Sequence, residues 1–461
     1  MATNLTSDLP GIPGPSSWVP GGAYWAFRKD PLTFFTNTAR TYGDIAGFKF
    51  GPMKVYLVSR PEWIEDVLVK SAGKFGKGIA LERARALLGN GLLTAAGQEH
   101  LKHRRMIQPL FHRQHVQGFA DTFVRHAARW RDAVAPGAQL DMAREMSALT
   151  LGIIGETMFS SDVQGDADEV REALADAVSN FAYAFIPGVD YLQRLPLPIF
   201  VKVRQARERL DRVIHRVIAE RRAGNPSTSD EATVDKGLPP PVRPDLISML
   251  LAARDPENPN EGGMSDAQIR DEAMTIFLAG HETTANAMAW TWHLLGTAPE
   301  AEARLHEELA RVRTPTVEDV PKLEWTRAIV SESMRLFPPA WTMGRRVLEP
   351  HTLGGHTIDK GALIILSQWV VHHDPRWWPN AERFAPERWL APAERPKYAY
   401  FPFGGGTRVC IGEAFAWTEA ILLLATIAQK WRFVRGAHSP PTTEPRITLR
   451  PKGLFMTAAP R

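Results

Sequence analysis

The arrangement of apolar and polar positions predicts a chain that is mainly helical with small sheets. Between Asp44 and Val58, two short β-prone runs flank Gly51-Pro52, which reads as a hairpin. Helical periodicity dominates beyond it. One helix begins at Pro61-Glu62, a second runs from Glu99 to Gln108, and a third from His115 to Asp132. Gln205 to Arg222 is a strongly charged helix. Asn180 to Val201, aromatic and broken by Pro187, Pro196 and Pro198, suits two helix ends joined by a loop over an apolar cavity. Ser265 followed by Gln268 is a capping-box start. From Ala267 to about Leu295 there is no proline and apolar residues fall on nearly every face, the mark of a buried helix.

Two segments fall outside this periodicity. Leu9-Pro10-Gly11-Ile12-Pro13-Gly14-Pro15 cannot be helix or central strand, so residues 1–20 read as an arm packed on the body. The proline-rich stretch 224–244 reads as a mobile surface loop. Neither side of it carries a repeat or a shift in composition, so 461 residues are expected to form a single domain.

Composition narrows the function. The net charge is +4 with no run of five Lys/Arg, which argues against nucleic acid as a partner. The N-terminus lacks the basic and apolar regions of a signal peptide. The run Ala420 to Ala428 is far shorter than the ~20 residues that cross a bilayer. A cytoplasmic, unanchored monomer is expected. The single cysteine, Cys410, excludes an internal disulfide and a multi-thiolate metal site.

The middle of the long helix reads Ala279-Gly280-His281-Glu282-Thr283-Thr284. A glycine there costs about 1 kcal/mol relative to alanine, threonines can bond carbonyls one turn back, and a buried acid is costly without a partner or purpose. A plain kinked core helix accounts for Thr284 alone. The group together suggests a local widening where a small ligand and water sit. Glu332 and Arg335 lie one turn apart on one helix face, and Arg388 in a later loop offers a second cation to Glu332.

Phe401-Pro402-Phe403-Gly404-Gly405-Gly406-Thr407-Arg408-Val409-Cys410-Ile411-Gly412 is the most informative segment. Three glycines remove Cβ atoms where a flat group would approach the backbone. Cys410 stands just before the helix Glu413 to Lys430, where amides and the helix dipole favour a thiolate. An inert buried cysteine and a cysteine nucleophile are the alternatives, the second lacking a local histidine base. The pattern best fits a thiolate ligand to haem iron, with Arg408 on a propionate and Phe403 shielding the sulfur.

On these motifs the chain resembles the cytochrome P450 family from the proline-rich arm almost to Arg461. The family's Phe-x-x-Gly-x-Arg-x-Cys-x-Gly signature falls on Phe403, Gly406, Arg408, Cys410 and Gly412. Its Glu-x-x-Arg pair falls on Glu332 and Arg335 with Arg388 as third member, and its oxygen-activation segment on Ala279 to Thr283. The resemblance implies a mainly α fold with small β-sheets, and haem b buried beside the long central helix. It implies insertion of one oxygen atom of dioxygen into a hydrophobic substrate such as a fatty acid, terpenoid or steroid-like molecule.

Cys410 would be the iron ligand, with Gly404 and Gly412 in its loop and Ala279 and Gly280 over the cofactor. The family's Trp-x-x-x-Arg is replaced by His100 and Arg104, to which the propionate role is carried; Arg345, or its neighbour Arg346, is a further propionate candidate. His372-His373-Asp374-Pro375 departs from the family's usual His-Arg-Asp-Pro, and His373 receives no role. Thr283 would hydrogen-bond the dioxygen being reduced, and Glu282 would relay protons to it as a general acid. Phe181, Phe185, Ile186, Phe277, Ala279, Ala340, Trp341, Met343 and Phe455 fall where the family lines its pocket. No flavin, nicotinamide or iron–sulfur segment is present. NAD(P)H would therefore serve indirectly, through a ferredoxin or flavodoxin and its reductase, docking on Lys102, His103 and Arg105. A peroxide-driven peroxygenase and a non-catalytic haem ligand-binding protein are the competing readings.

Overall fold

The computed structural model describes residues 9, 11–16, 21–159, 198–224, 245–391, 394–436 and 440–461. The first helices are α1 (Gly22–Lys29) and α2 (Pro31–Tyr42). Pro31 opens α2 where no N–H is needed, and Asp30 caps it by accepting the Thr33 N–H at 3.1 Å. The expected hairpin is β1 (Ile45–Phe50) and β2 (Met53–Val58), antiparallel, turning through Gly51 at φ 61. The arm packs on it. Gly47 N–H donates to Pro13 O at 2.8 Å, and any Cβ on Gly14 would collide with Gly47 O.

Then come α3 (Pro61–Glu65), β3 (Phe75–Lys77), α4 (Ile79–Leu88), α5 (Gly97–Ile107), α6 (Arg113–Ala133), β4 (Gln139–Asp141) and α7 (Met142–Phe159). After them follow α8 (Pro198–Gly224), α9 (Leu246–Ala252), α10 (Asp266–Leu295), α11 (Pro299–Leu309) and α12 (Glu324–Leu336). The remainder is β5 (Met343–Val347), β6 (His351–Leu353), β7 (His356–Ile358), β8 (Leu363–Leu366), α13 (Gln368–His372), α14 (Glu413–Ala428), β9 (Trp431–Arg435), β10 (Thr442–Pro445), β11 (Leu449–Lys452) and β12 (Phe455–Pro460). Residues 180–197, with Phe181, Phe185 and Ile186, and the loop expected after Gly224 lie outside the described residues.

Two layers of packing set up the interior. The order β1-β2-β8-β5-β3 forms one mixed sheet, with β2 and β8 parallel. Its faces bury a cluster that includes Phe35, Phe48, Leu57 and Trp341. A larger core joins α6, α7, α10 and α14. The capping box of α10 is present in full, Ser265 and Gln268 bonding reciprocally. The helix is continuous, with no widened turn at Gly280. A Cβ there would lie 3.0 Å from Ile154 Cδ1, so the glycine serves the close approach of α7.

Glu332 is the best-satisfied buried acid. Arg335 grips both its oxygens, at 2.9 Å each, and Arg388 Nε reaches Oε1 at 2.9 Å. Trp389 Nε1 donates to Oε2 at 2.9 Å and the Ala385 amide to Oε1 at 3.1 Å. Arg335 also donates to His372 O and Arg383 O. The loop before the cysteine segment is thus tied to α12, as the sequence suggested. Removing one partner of such a buried set strands the other charges, so Glu332→Ala should lower unfolding free energy by about 3–5 kcal/mol in denaturant titration. Unchanged stability would mean that the network holds nothing.

Candidate functional site

The loop leading to Cys410 is shaped by its own glycines. Gly404 and Gly406 have φ of 74 and 67, a region that side chains disfavour. A Cβ on Gly405 would meet the Tyr398 ring at 2.6 Å, and one on Gly406 would collide with Leu68 O. These two glycines make room for protein backbone and ring, rather than for a flat ligand as the sequence suggested. The loop closes on itself: Cys410 N–H donates to Phe403 O at 2.9 Å, and the Phe403 ring packs on Trp417 at 5.8 Å. Arg104 of α5 donates to Val409 O at 2.7 Å, tying the two expected site elements together.

Cys410 is exposed, yet protein surrounds it densely. The two facts agree only if the sulfur faces open space inside the molecule. Burial pushes its thiol up to about 11, against the lowering effect of the Gly412 N–H. The thiolate bias expected from the helix start is therefore outweighed by burial, and a bound metal cation would have to displace the proton. On α10, Ala279 is exposed in the middle of a buried helix, and Thr283 lies one turn further on the same face. The Thr283 hydroxyl donates to Ala279 O at 2.7 Å.

Basic groups gather beside this loop. Arg345 is 8% exposed and its side chain's one polar contact among the described residues is Gly344 O at 3.0 Å; burial, then Arg408, pushes it down to about 10. Among the described residues, the Arg408 side chain bonds Ala95 O alone, at 3.3 Å. His100 is buried and pushed down to about 3 by burial, then by Arg408 and Lys77. Lys77, which the sequence reading missed, stands opposite Arg345 across β3 and β5 and donates to the Leu92 and Leu93 carbonyls. Burial, then Arg408 and Arg345, pushes it down to about 6. None of Lys77, Arg104, Arg345 and Arg408 forms an ion pair among the described residues. Like charges across a strand pair are unfavourable, so this cluster calls for an anion. Haem, with a metal for the sulfur and two carboxylates for the cations, fits the set. Arg346 is excluded from it, because it pairs with Glu82 at 2.7 Å on the surface.

Other expected residues are placed elsewhere. Trp341 lies in the sheet core and donates to Arg446 O, and Phe277 lies in the helical core beside His281. Ala340 and Met343 are half-buried, the Met343 methyl reaching within 3.2 Å of a Cβ built on Gly404. Phe455 is 40% exposed on β12, opposite Asp141. The residues of the expected docking face are paired within the chain, and one of them is buried. His103 is buried against Glu272 at 2.7 Å, Lys102 pairs with Glu261, and Arg105 grips Asp255 through two bonds. All three are committed within the chain. Glu282 is held too, by Thr448 and by Arg450 Nε at 2.6 Å.

The family model for Cytochrome P450 matches residues 12–458. The chain belongs to the cytochrome P450 family. It is 36% identical to cyclooctatin synthase of Streptomyces melanosporofaciens, over 96% of this chain and 95% of that protein. It is likewise 36% identical to cyclooctat-9-en-7-ol 5-monooxygenase of the same organism, covering 89% and 87%. Pentalenene oxygenase of Streptomyces avermitilis is 32% identical, covering 95% and 93%. The protein is thus a haem-iron monooxygenase, an oxidoreductase acting on a hydrophobic substrate. No helix among the described residues is long and apolar enough to cross a membrane.

One buried acid near the site was not anticipated. Glu419 of α14 hydrogen-bonds Thr284, while its Oε2 is buried with no partner. Burial pushes its carboxyl up to about 8 from 4.5, with Thr284 lowering it. Between these values the folded protein holds a proton that the unfolded chain has released, so stability falls as pH rises through that window. The loss should be on the order of a few kcal/mol by pH 8. Glu419→Gln should flatten the dependence of unfolding free energy on pH from 5 to 8; an unaltered slope would assign the effect elsewhere.

Proposed function

We propose that this monooxygenase hydroxylates or epoxidises a terpenoid-class substrate, with Cys410 as the residue whose sulfur would hold the iron of haem b. Electrons from NAD(P)H would reach it through a separate ferredoxin or flavodoxin and its reductase. The observation that carries the reading is the interior-facing sulfur of Cys410 beside cations that lack counter-ions among the described residues. Haem, when bound, supplies activation of dioxygen, one atom entering a C–H or C=C bond and the other leaving as water.

The chain's own residues do the rest. Arg345, Arg408, His100 and Lys77 would hold the propionates, the neutral imidazole as a hydrogen-bond donor and the guanidinium groups as charges. Arg104 fixes the loop by its bond to Val409 O, and the Gly412 N–H moderates the sulfur's donation. Phe403 and Trp417 shield the sulfur side from water. Ala279 and Thr283 form the wall facing the reacting side. Thr283 must give up its bond to Ala279 O to donate there. Glu282 exchanges protons with water and passes them toward that hydroxyl. The terpenoid class rests on the named substrates of the relatives and on the apolar character of Ala279, Ala340 and Met343.

Cys410→Ala should abolish the thiolate-type spectrum of the reduced carbonyl complex; persistence of that spectrum would remove the ligand assignment. A panel of cyclic terpene hydrocarbons and alcohols, fatty acids and steroids should sort by the spectral loss of the sixth-ligand water. Terpenes are expected to give the largest shift, and a response confined to fatty acids would overturn the class.

A further inference from the structure

The acid of α10 is held by an element far away in sequence. Glu282, Asn286 and Trp290 recur every four residues and so share one face of the helix. All three grip the strand β11 and the residue before it. Trp290 Nε1 donates to Leu449 O at 3.0 Å, and Asn286 Nδ2 to Thr448 Oγ1 at 3.0 Å. The Thr448 hydroxyl in turn donates to Glu282 Oε1, and Arg450 Nε reaches the same oxygen. The hairpin end is fixed from the sheet side as well, by Trp341 on Arg446 O and by Leu449 N–H on Pro339 O at 3.0 Å.

Both bonds fall on one carboxylate oxygen. Oε2 takes no hydrogen bond from any described residue and is not among the buried atoms without a partner. It is therefore the oxygen open to water. Arg450 is the only cation paired with Glu282 among the described residues. The neighbouring His281 is buried, bonds Phe277 O, and is held neutral by that burial. A carboxylate with 7% side-chain exposure is tolerated in the helix because this guanidinium accompanies it.

We propose that Arg450, with Thr448, is a positioning residue for Glu282: the two fix Oε1 so that Oε2 takes a proton from water and passes it toward Thr283. Arg450 keeps its own protons throughout and donates only a hydrogen bond. The proposal rests on the proton-relay reading given above. It adds that the relay depends on a clasp from β11, and that Arg450 acts only through Glu282.

The test uses the haem-loaded enzyme with its redox partners and a terpene that shifts its spectrum. Arg450→Ala, Arg450→Lys and Thr448→Val are made in the wild-type and Glu282→Gln backgrounds. Peroxide released per reductant consumed, spectral substrate affinity and hydrogen exchange across residues 442–452 are measured. Arg450→Ala should raise the peroxide fraction about tenfold, with affinity and exchange unchanged, since a positioned acid contributes at least that factor. Arg450→Lys should restore much of the coupling, and Thr448→Val should show a smaller loss in the same direction. In the Glu282→Gln background none of the three should add anything. Coupling unchanged in Arg450→Ala overturns the proposal. So does an equal loss in both backgrounds with faster exchange, which would mark Arg450 as a brace for the hairpin alone. The thiolate spectrum, recorded for every variant, reports separately on the Cys410 assignment.

Discussion

Uncompensated positive charge inside the protein is the constraint from which the rest of the site follows. Burial depresses the proton affinity of Lys77, Arg345 and Arg408, the Arg408 charge depresses that of Lys77 and Arg345 further, and Arg345 adds to the effect on Lys77. Free energy on that scale is retained in a fold only where a ligand returns it. A porphyrin whose two carboxylates met these groups, with its metal on the Cys410 sulfur, would remove the repulsion and the unmet desolvation at once. Folding of the loop and binding of the cofactor would then be coupled, and the cluster would serve as a charge filter as well as an anchor.

The other buried charges behave in the opposite way, and the contrast separates scaffold from site. Glu332 collects five donors from Arg335, Arg388, Trp389 and Ala385, leaving neither oxygen free. His103 and Glu272 are paired, and Glu272 also accepts the Leu92 N–H at 2.9 Å. Arg105 and Asp255 close a bidentate bond. These sets pair charge with charge inside the chain and locate α5, α10 and the segment before Cys410 relative to one another. At the site and on the helix packed against its wall, by contrast, Arg345 and Glu419 are left incomplete.

Much of this was legible in the sequence because the relevant residues are close along the chain. The capping box of α10, the Glu332–Arg335 turn and the cysteine loop are all encoded within a dozen residues. Arg388 was legible as well, although the donation from Trp389 was not. Lys77 left no trace, since a three-residue strand has no periodicity and only its register with β5 brings it opposite Arg345. Thr448 and Arg450 reach Glu282 across more than 160 residues for the same reason. The pattern is mute about exposure and about what a glycine makes room for. Trp341 and Phe277 are core, His103 is buried, and two of the cysteine-loop glycines serve backbone packing.

The six residues from Ala279 to Thr284 show why this segment must be contiguous. Each step around an α-helix turns by about 100°, so neighbours in sequence address different partners. Ala279 and Thr283, four apart, face the open interior. Gly280 meets Ile154, and the His281 carbonyl accepts from Thr150, both on α7. Glu282 turns to β11, and Thr284 to Glu419 on α14. One inserted residue would rotate every later side chain onto the wrong neighbour, placing an acid against a core and a hydroxyl against a strand. The polar composition that makes this stretch a poor core helix is the consequence of one rod serving four surfaces. Its stability is supplied from outside, by Arg450, Thr448 and Thr150, rather than by its own propensity.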